Sequence, residues 1–243
     1  MRVCLDFCTI IVVHTKSITP SFDRQPSSNT VAYFKIDSND TNSIVYDKKN
    51  WNNATRYWTA SYETLTSWQR VLDFNWSNNW IYCSSAVITS QPLTVNLRFF
   101  SKWSQSVDKT IISNQNDNWS RWIICAFANA NALFTFFWNG SSRQTTTNTV
   151  SVSHNQRINY WFTIEWWTIK KYMNWSLVQT VNWSWTPNFT NTTALSMWFL
   201  RSNWTQSNFR FANIKLARTI LETGAWSWTD FSNYYQKTKK RFS

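Results

Sequence analysis

The sequence predicts an all-β chain folded as a two-sheet antiparallel sandwich with a short C-terminal helix. Three observations carry this expectation. Strand-like runs of about 4 to 8 residues, rich in Val, Ile, Thr, Tyr and Phe, recur along nearly the whole length. Clusters of Asn, Ser and Thr, the residues that close turns, bound them. One segment near the C-terminus has helix signals. So many short strands in a single sheet would leave an apolar face in water, so two sheets must pack face to face.

In chain order the runs are Val31 to Ile36, Arg70 to Phe74, Trp80 to Cys83, Leu93 to Phe100, Thr110 to Ser113 and Ile123 to Phe127. Leu133 to Phe137, Ile158 to Ile164, Thr168 to Met173, Leu177 to Thr180, Leu195 to Leu200 and Phe209 to Leu216 follow. The last run alternates imperfectly, as a strand buried on both faces does. The helix is expected over Thr229 to Arg241, with Thr229 or Ser227 as N-cap and Asp230 in the first turn. Its basic end, Lys237 to Arg241, matches the negative pole of a helix dipole. Residues 1–28 form a tail, either a poor signal peptide or a mis-assigned start, and 29–243 form one sandwich domain.

The composition inverts what turns need. The chain has 19 tryptophans and 2 glycines in 243 residues, where average usage supplies about 7% glycine, roughly 17 residues. Trp51, Trp76, Trp80, Trp119, Trp175, Trp183 and Trp204 each follow an asparagine; chance gives about two such pairs. Asn-Gly is the strongest short hairpin signal, because both central residues of a type I′ turn have φ > 0. A tryptophan there clashes with its own backbone. A lineage that reads UGA as glycine, translated as though UGA meant tryptophan, produces this pattern. Tyr172-Met173-Asn174-Trp175-Ser176-Leu177 is the clearest case, strand, turn and strand once residue 175 is glycine. Trp161, inside an apolar run, reads as a true core aromatic, and Trp228 also reads as genuine. The alternative is a truly Trp-rich protein whose exposed indoles stack on sugars or seat in membrane interfaces.

With glycine restored, four segments resemble the concanavalin A-like lectin/glucanase superfamily, near its laminin-G-like modules. Ala32 to Ile36, followed by Asn39-Asp40 and Asp47 to Asn53, is similar to the opening strand and Asp-rich loop. Val71 to Asn78 resembles an aliphatic-x-Phe-Asn-Gly strand end. Tyr172 to Leu177 resembles a Tyr-Val-Asn-Gly-x-Leu hairpin, and Phe211 to Arg218 with Leu221 a late strand leading into a terminal helix. The resemblance spans about residues 31 to 235 in the family's order. It implies a jelly-roll topology and a lectin-like or adhesion role at a cell surface, in secretion or on a virion.

The chemistry-bearing residues point away from catalysis. Glycoside hydrolysis with retention needs two carboxyl groups about 5–5.5 Å apart; the three glutamates, Glu63, Glu165 and Glu222, are far apart in sequence, and no Glu-x-Asp-x-x-Glu strand exists. His14 and His154 accompany no nucleophile motif. No catalytic residue is therefore assigned, and the ligand-binding residues stay unassigned. Asp37, Asp40 and Asp47 are the calcium candidates, since calcium takes 6–8 oxygen ligands; turn formation is the preferred role for these acids. Cys4 and Cys8 lie in the tail, while Cys83 and Cys125 are buried thiols or, in a secreted protein, a bridge. The net charge of +12 raises nucleic acid as a partner, but the basic residues are dispersed, so a glycan or protein surface is the expected partner. The function expected is a non-catalytic carbohydrate-binding or adhesion module. A structural or protein-interaction sandwich is the alternative, and a glycoside hydrolase the third reading.

Overall fold

The computed structural model describes residues 26–36, 43–49, 52–57, 61–65, 70–74, 80–85, 90–102, 109–115, 121–129, 131–138, 143–145, 149–182, 195–197 and 214–238. Eight strands form sheet A: β1 (Thr30–Lys35), β4 (Ser61–Thr64), β5 (Arg70–Asp73), β7 (Leu93–Ser101), β13 (Gln156–Glu165), β14 (Thr168–Met173), β15 (Ser176–Asn182) and β17 (Ile214–Thr223). Nine form sheet B: β2 (Ile44–Val45), β3 (Ala54–Tyr57), β6 (Trp80–Cys83), β8 (Lys109–Gln115), β9 (Arg121–Asn129), β10 (Ala132–Trp138), β11 (Arg143–Thr145), β12 (Val150–Ser151) and β16 (Leu195–Met197). One helix, α1 (Trp228–Thr238), follows the last strand. The expected all-β sandwich with a terminal helix is the fold observed.

Sheet A runs β15-β14-β13-β7-β17-β5-β4, with β1 also on β17; sheet B runs β11-β10-β9-β8-β16-β6-β3-β2, with β12 on β10. Strand β17 runs through Thr223, past the Leu216 end expected from the sequence, while residues 209–213 of the expected run lie outside the described residues. Its first residues pair with β5 and the remainder with β1, while β7 lines its whole other side. Such a strand must be apolar on the inner face and covered on the outer one. Residues 214–222 of β17 accordingly contain no exposed side chain.

The core lies between the sheets. Leu93, Val95, Leu97 and Phe99 of β7 and Ile158, Tyr160, Phe162 and Ile164 of β13 face Cys125, Phe127 and Leu133 of sheet B in one apolar cluster. Phe99 meets Phe127 edge to face at 6.4 Å between ring centres, a preferred arrangement for aromatic pairs. A polar spot crosses this core, where the Tyr160 and Thr135 hydroxyls lie 2.9 Å apart. Burial lowers the Lys171 ammonium from its usual 10.5 to about 8, opposed by Cys125. Burial likewise pushes the Cys125 thiol up to about 12, so it is a packed thiol rather than a reactive one.

Cys83 and Cys125 are both free and buried. Sheet order explains why they do not pair: β8 and β16 separate β9 from β6. Three interstrand steps put the two backbones about 14 Å apart, beyond the reach of a disulfide. Cys4, Cys8 and His14 lie outside the described residues.

Candidate functional site

The outer face of sheet A is where the helix docks. Ser227 caps α1: its hydroxyl accepts the Asp230 amide at 3.2 Å, and the Asp230 carboxylate accepts the Ser227 amide at 2.8 Å. This reciprocal pair fixes the helix start and settles the two sequence candidates in favour of Ser227. Gly224, at φ +94°, turns the chain out of β17. The Thr94 hydroxyl then donates to the Gly224 carbonyl at 2.7 Å and accepts the Trp226 amide at 3.0 Å.

Phe231 and Tyr234, one turn apart on α1, drop onto the sheet. Phe231 stacks on the Trp161 indole at 4.5 Å and contacts Tyr172 at 4.1 Å. Tyr234 meets Trp161 edge to face at 5.7 Å. Trp226 completes the cluster, with its indole N–H donating to the Glu222 carboxylate at 2.5 Å.

Residues paired across adjacent strands share a face, so the register identifies the neighbours of Trp161. They are Asn96 on β7 and Tyr172 on β14. One step along, Asn159 pairs with Arg98, which pairs in turn with Arg218. Asn96, Arg98, Asn159 and Arg218 are all buried. Arg218 donates from Nη2 to the Asn96 side-chain oxygen at 3.0 Å, and its guanidinium lies 5.0 Å from the Tyr234 ring centre. Asn96 Nδ2, Asn159 Oδ1 and Trp161 Nε1 are buried without a hydrogen-bond partner. Orphaned polar atoms gathered on one patch are unusual, since buried polar groups are nearly always paired.

Two hairpin tips border this face. Met173 pairs with Ser176, leaving Asn174 and Trp175 as a two-residue loop, with φ of +44° and +79°. Positive φ at both positions is the type I′ pattern, the turn expected from the sequence with glycine second. The Asn174 side chain accepts the Asn159 amide at 3.0 Å, tying the tip to the patch. The Trp175 indole leans on Trp161 at 4.5 Å and Tyr234 at 5.6 Å. At the other end Glu165 pairs with Thr168, leaving Trp166 and Trp167 as the loop. Only Trp166, at +49°, has positive φ there, the sign pattern of a type II′ turn with glycine first.

Asp47 is a turn organiser. Its carboxylate accepts backbone amides from Tyr33 at 2.8 Å, Lys49 at 2.9 Å and Asn52 at 3.2 Å. The other calcium candidates, Asp37 and Asp40, lie outside the described residues, and no metal-ligating cluster occurs among the described residues. Glu63 binds Lys215 at the β4 edge, Glu222 accepts from Thr30 at 2.8 Å as well as from Trp226, and Glu165 is exposed at the hairpin tip. One constellation escaped the sequence reading. His154 Nδ1 lies 2.7 Å from the Ser101 hydroxyl, and its Nε2 lies 2.9 Å from the Asn131 side-chain oxygen. Ser101 is completely buried, and the trio clasps β7 to the turn before β10. Residues so far apart in sequence leave no local signal of such a contact.

No protein-family model matches the chain, and no curated protein sequence does. Solved structures do. Domain 4 of an extracellular GH43 arabinanase from Geobacillus stearothermophilus, in complex with arabinotriose, aligns at TM-score 0.64 and 13% identity over 85% of this chain and 98% of that one. A botulinum neurotoxin type C, described as interacting with two ganglioside molecules, aligns at TM-score 0.64 and 11% identity over 85% of this chain. A Trypanosoma rangeli sialidase mutant aligns at TM-score 0.66 and 8% identity over 90%. The chain spans 51% of the neurotoxin chain and 34% of the sialidase. The class these likenesses define is the two-sheet β-sandwich. No helix among the described residues is long and apolar enough to cross a membrane.

Proposed function

We propose that this chain is a non-catalytic glycan-binding module, a jelly roll of the concanavalin A-like, laminin-G-like kind. It belongs to a surface, secreted or phage protein of a lineage that reads UGA as glycine. The observation that carries the glycan reading is the shared sandwich. It covers 85% of this chain in common with a domain seen holding arabinotriose and with a toxin that interacts with gangliosides. The positive φ at Trp166 and Trp175 supports the recoding.

Four carboxylates among the described residues fit a non-catalytic reading. Glu63, Asp73 and Glu222 are engaged by Lys215, Lys102 and the Thr30–Trp226 pair, and Asp47 by backbone amides. A hydrolase needs two carboxyl groups facing one bond, whereas these four are held by separate partners. A protein ligand is the second reading, supported by a botulinum neurotoxin DC binding domain that aligns at TM-score 0.63 in complex with rat synaptotagmin II.

A glycan array at physiological salt, run on protein carrying Trp166→Gly and Trp175→Gly, decides between them. Binding to a discrete set of related glycans is expected. A silent array sinks the lectin reading and leaves the protein-interaction sandwich.

A further inference from the structure

We propose that the outer face of sheet A, beneath α1, holds a small site for the ring of a neutral sugar, floored by Asn96, Asn159 and Trp161 and walled by Tyr234. The indole at position 175 fills this site in the sequence as written, and glycine at that position opens it. The proposal rests on the glycan-binding reading and deepens it.

Asn96 Nδ2 and Trp161 Nε1 are donors and Asn159 Oδ1 is an acceptor, all buried and all without partners. They sit on the adjacent strands β7 and β13, at positions that the register places side by side. Leaving such groups unmet costs stability, so the arrangement demands a purpose. A sugar hydroxyl both donates and accepts. Two donors and an acceptor beside an indole and a phenol ring therefore match a hydroxyl-rich ring with an apolar face. An apolar ligand would leave all three atoms unmet.

The Trp175 indole lies against Trp161 and Tyr234. Asn174, its neighbour in the turn, is hydrogen-bonded to Asn159 through both backbone and side chain. Position 175 has φ of +79°, where glycine is the natural residue. Removing the indole vacates a volume comparable to a pyranose ring at the edge of the patch. Arg218 gives Nη2 to the Asn96 oxygen, and its guanidinium lies against the Tyr234 ring.

The test titrates methyl glycosides of neutral pentoses and hexoses into three proteins, followed by calorimetry and by indole fluorescence. The proteins carry Trp175→Gly alone, Trp175→Gly with Asn159→Leu, and Trp175→Gly with Trp161→Phe. Binding is expected for the first, weakened about tenfold or more in the other two. Asn159→Leu removes an orphaned acceptor, so its melting temperature should hold or rise; a fall would mark a structural role and overturn the site. If the Trp175→Gly protein binds glycans on the array but both second substitutions leave that binding unchanged, the site is wrong and the lectin reading stands. If the array itself is silent, the lectin reading fails and this site fails with it.

Discussion

Replacing Trp161 with alanine in the chain as written is expected to destabilise the protein by about 3–5 kcal/mol. The side chain is 0% exposed and is the centre of the outer aromatic cluster. Its ring meets Phe231, Trp226, Tyr234 and Trp175 at centroid distances of 4.5 to 6.0 Å. Truncation therefore removes a large apolar area and leaves a cavity that rings held by α1, the segment before it and the β14–β15 turn cannot collapse to fill. The loss extends to α1, because Phe231 and Tyr234 use Trp161 as their floor. Urea unfolding measures the cost, and limited proteolysis after Trp226 should show α1 loosened. A change below about 1 kcal/mol would mean that the cluster does not hold the helix.

The same letter five residues on is expected to behave in the opposite way. Trp166→Gly should stabilise the chain as written by about 1–2 kcal/mol, the cost of holding an L side chain in the left-handed region. Trp166 is 63% exposed, so little buried surface is lost on its removal. Its φ of +49° opens a two-residue hairpin whose first position favours glycine. Glycine also gains chain entropy when unfolded, which offsets part of the benefit. The unfolding midpoint should rise at unchanged denaturant slope. A fall of similar size would show that the indole contributes contacts worth more than the backbone strain. Trp161 and Trp166 thus separate two meanings of one letter: a core indole and a turn glycine.

The sequence made the hairpin geometry legible because local chemistry dictates it. Thr168 to Met173 and Trp80 to Cys83 coincide with β14 and β6, with Asn174 directly after the one and Asn78-Asn79 directly before the other in the sequence. The Asn174-Trp175 tip has the positive φ values that an Asn-Gly turn requires. What stayed illegible depends on partners far away. Strands β3 and β4 carry few apolar residues and exist because β6 and β5 present open edges to them. Strand β17 runs on through Ala217, Arg218 and Thr219, which look like a strand end, because Arg218 is sheltered by Tyr234 of the helix. The candidate site was invisible for the same reason: Asn96 and Trp161 are neighbours only because β7 pairs with β13. The motif Asn75-Trp76-Ser77 and the turns at Trp51, Trp119, Trp183 and Trp204 lie outside the described residues.

The central claim, that glycine occupies the turn positions and tryptophan the core, is tested most directly by mass spectrometry of the protein purified from the cells that make it. Two neighbouring tryptic peptides suffice, one from Ile158 to Lys170 and the other from Tyr172 to Arg201. Glycine at 166 and 175 with tryptophan at 161 is the expected result. Tryptophan at both 166 and 175, or glycine at 161, would contradict the account.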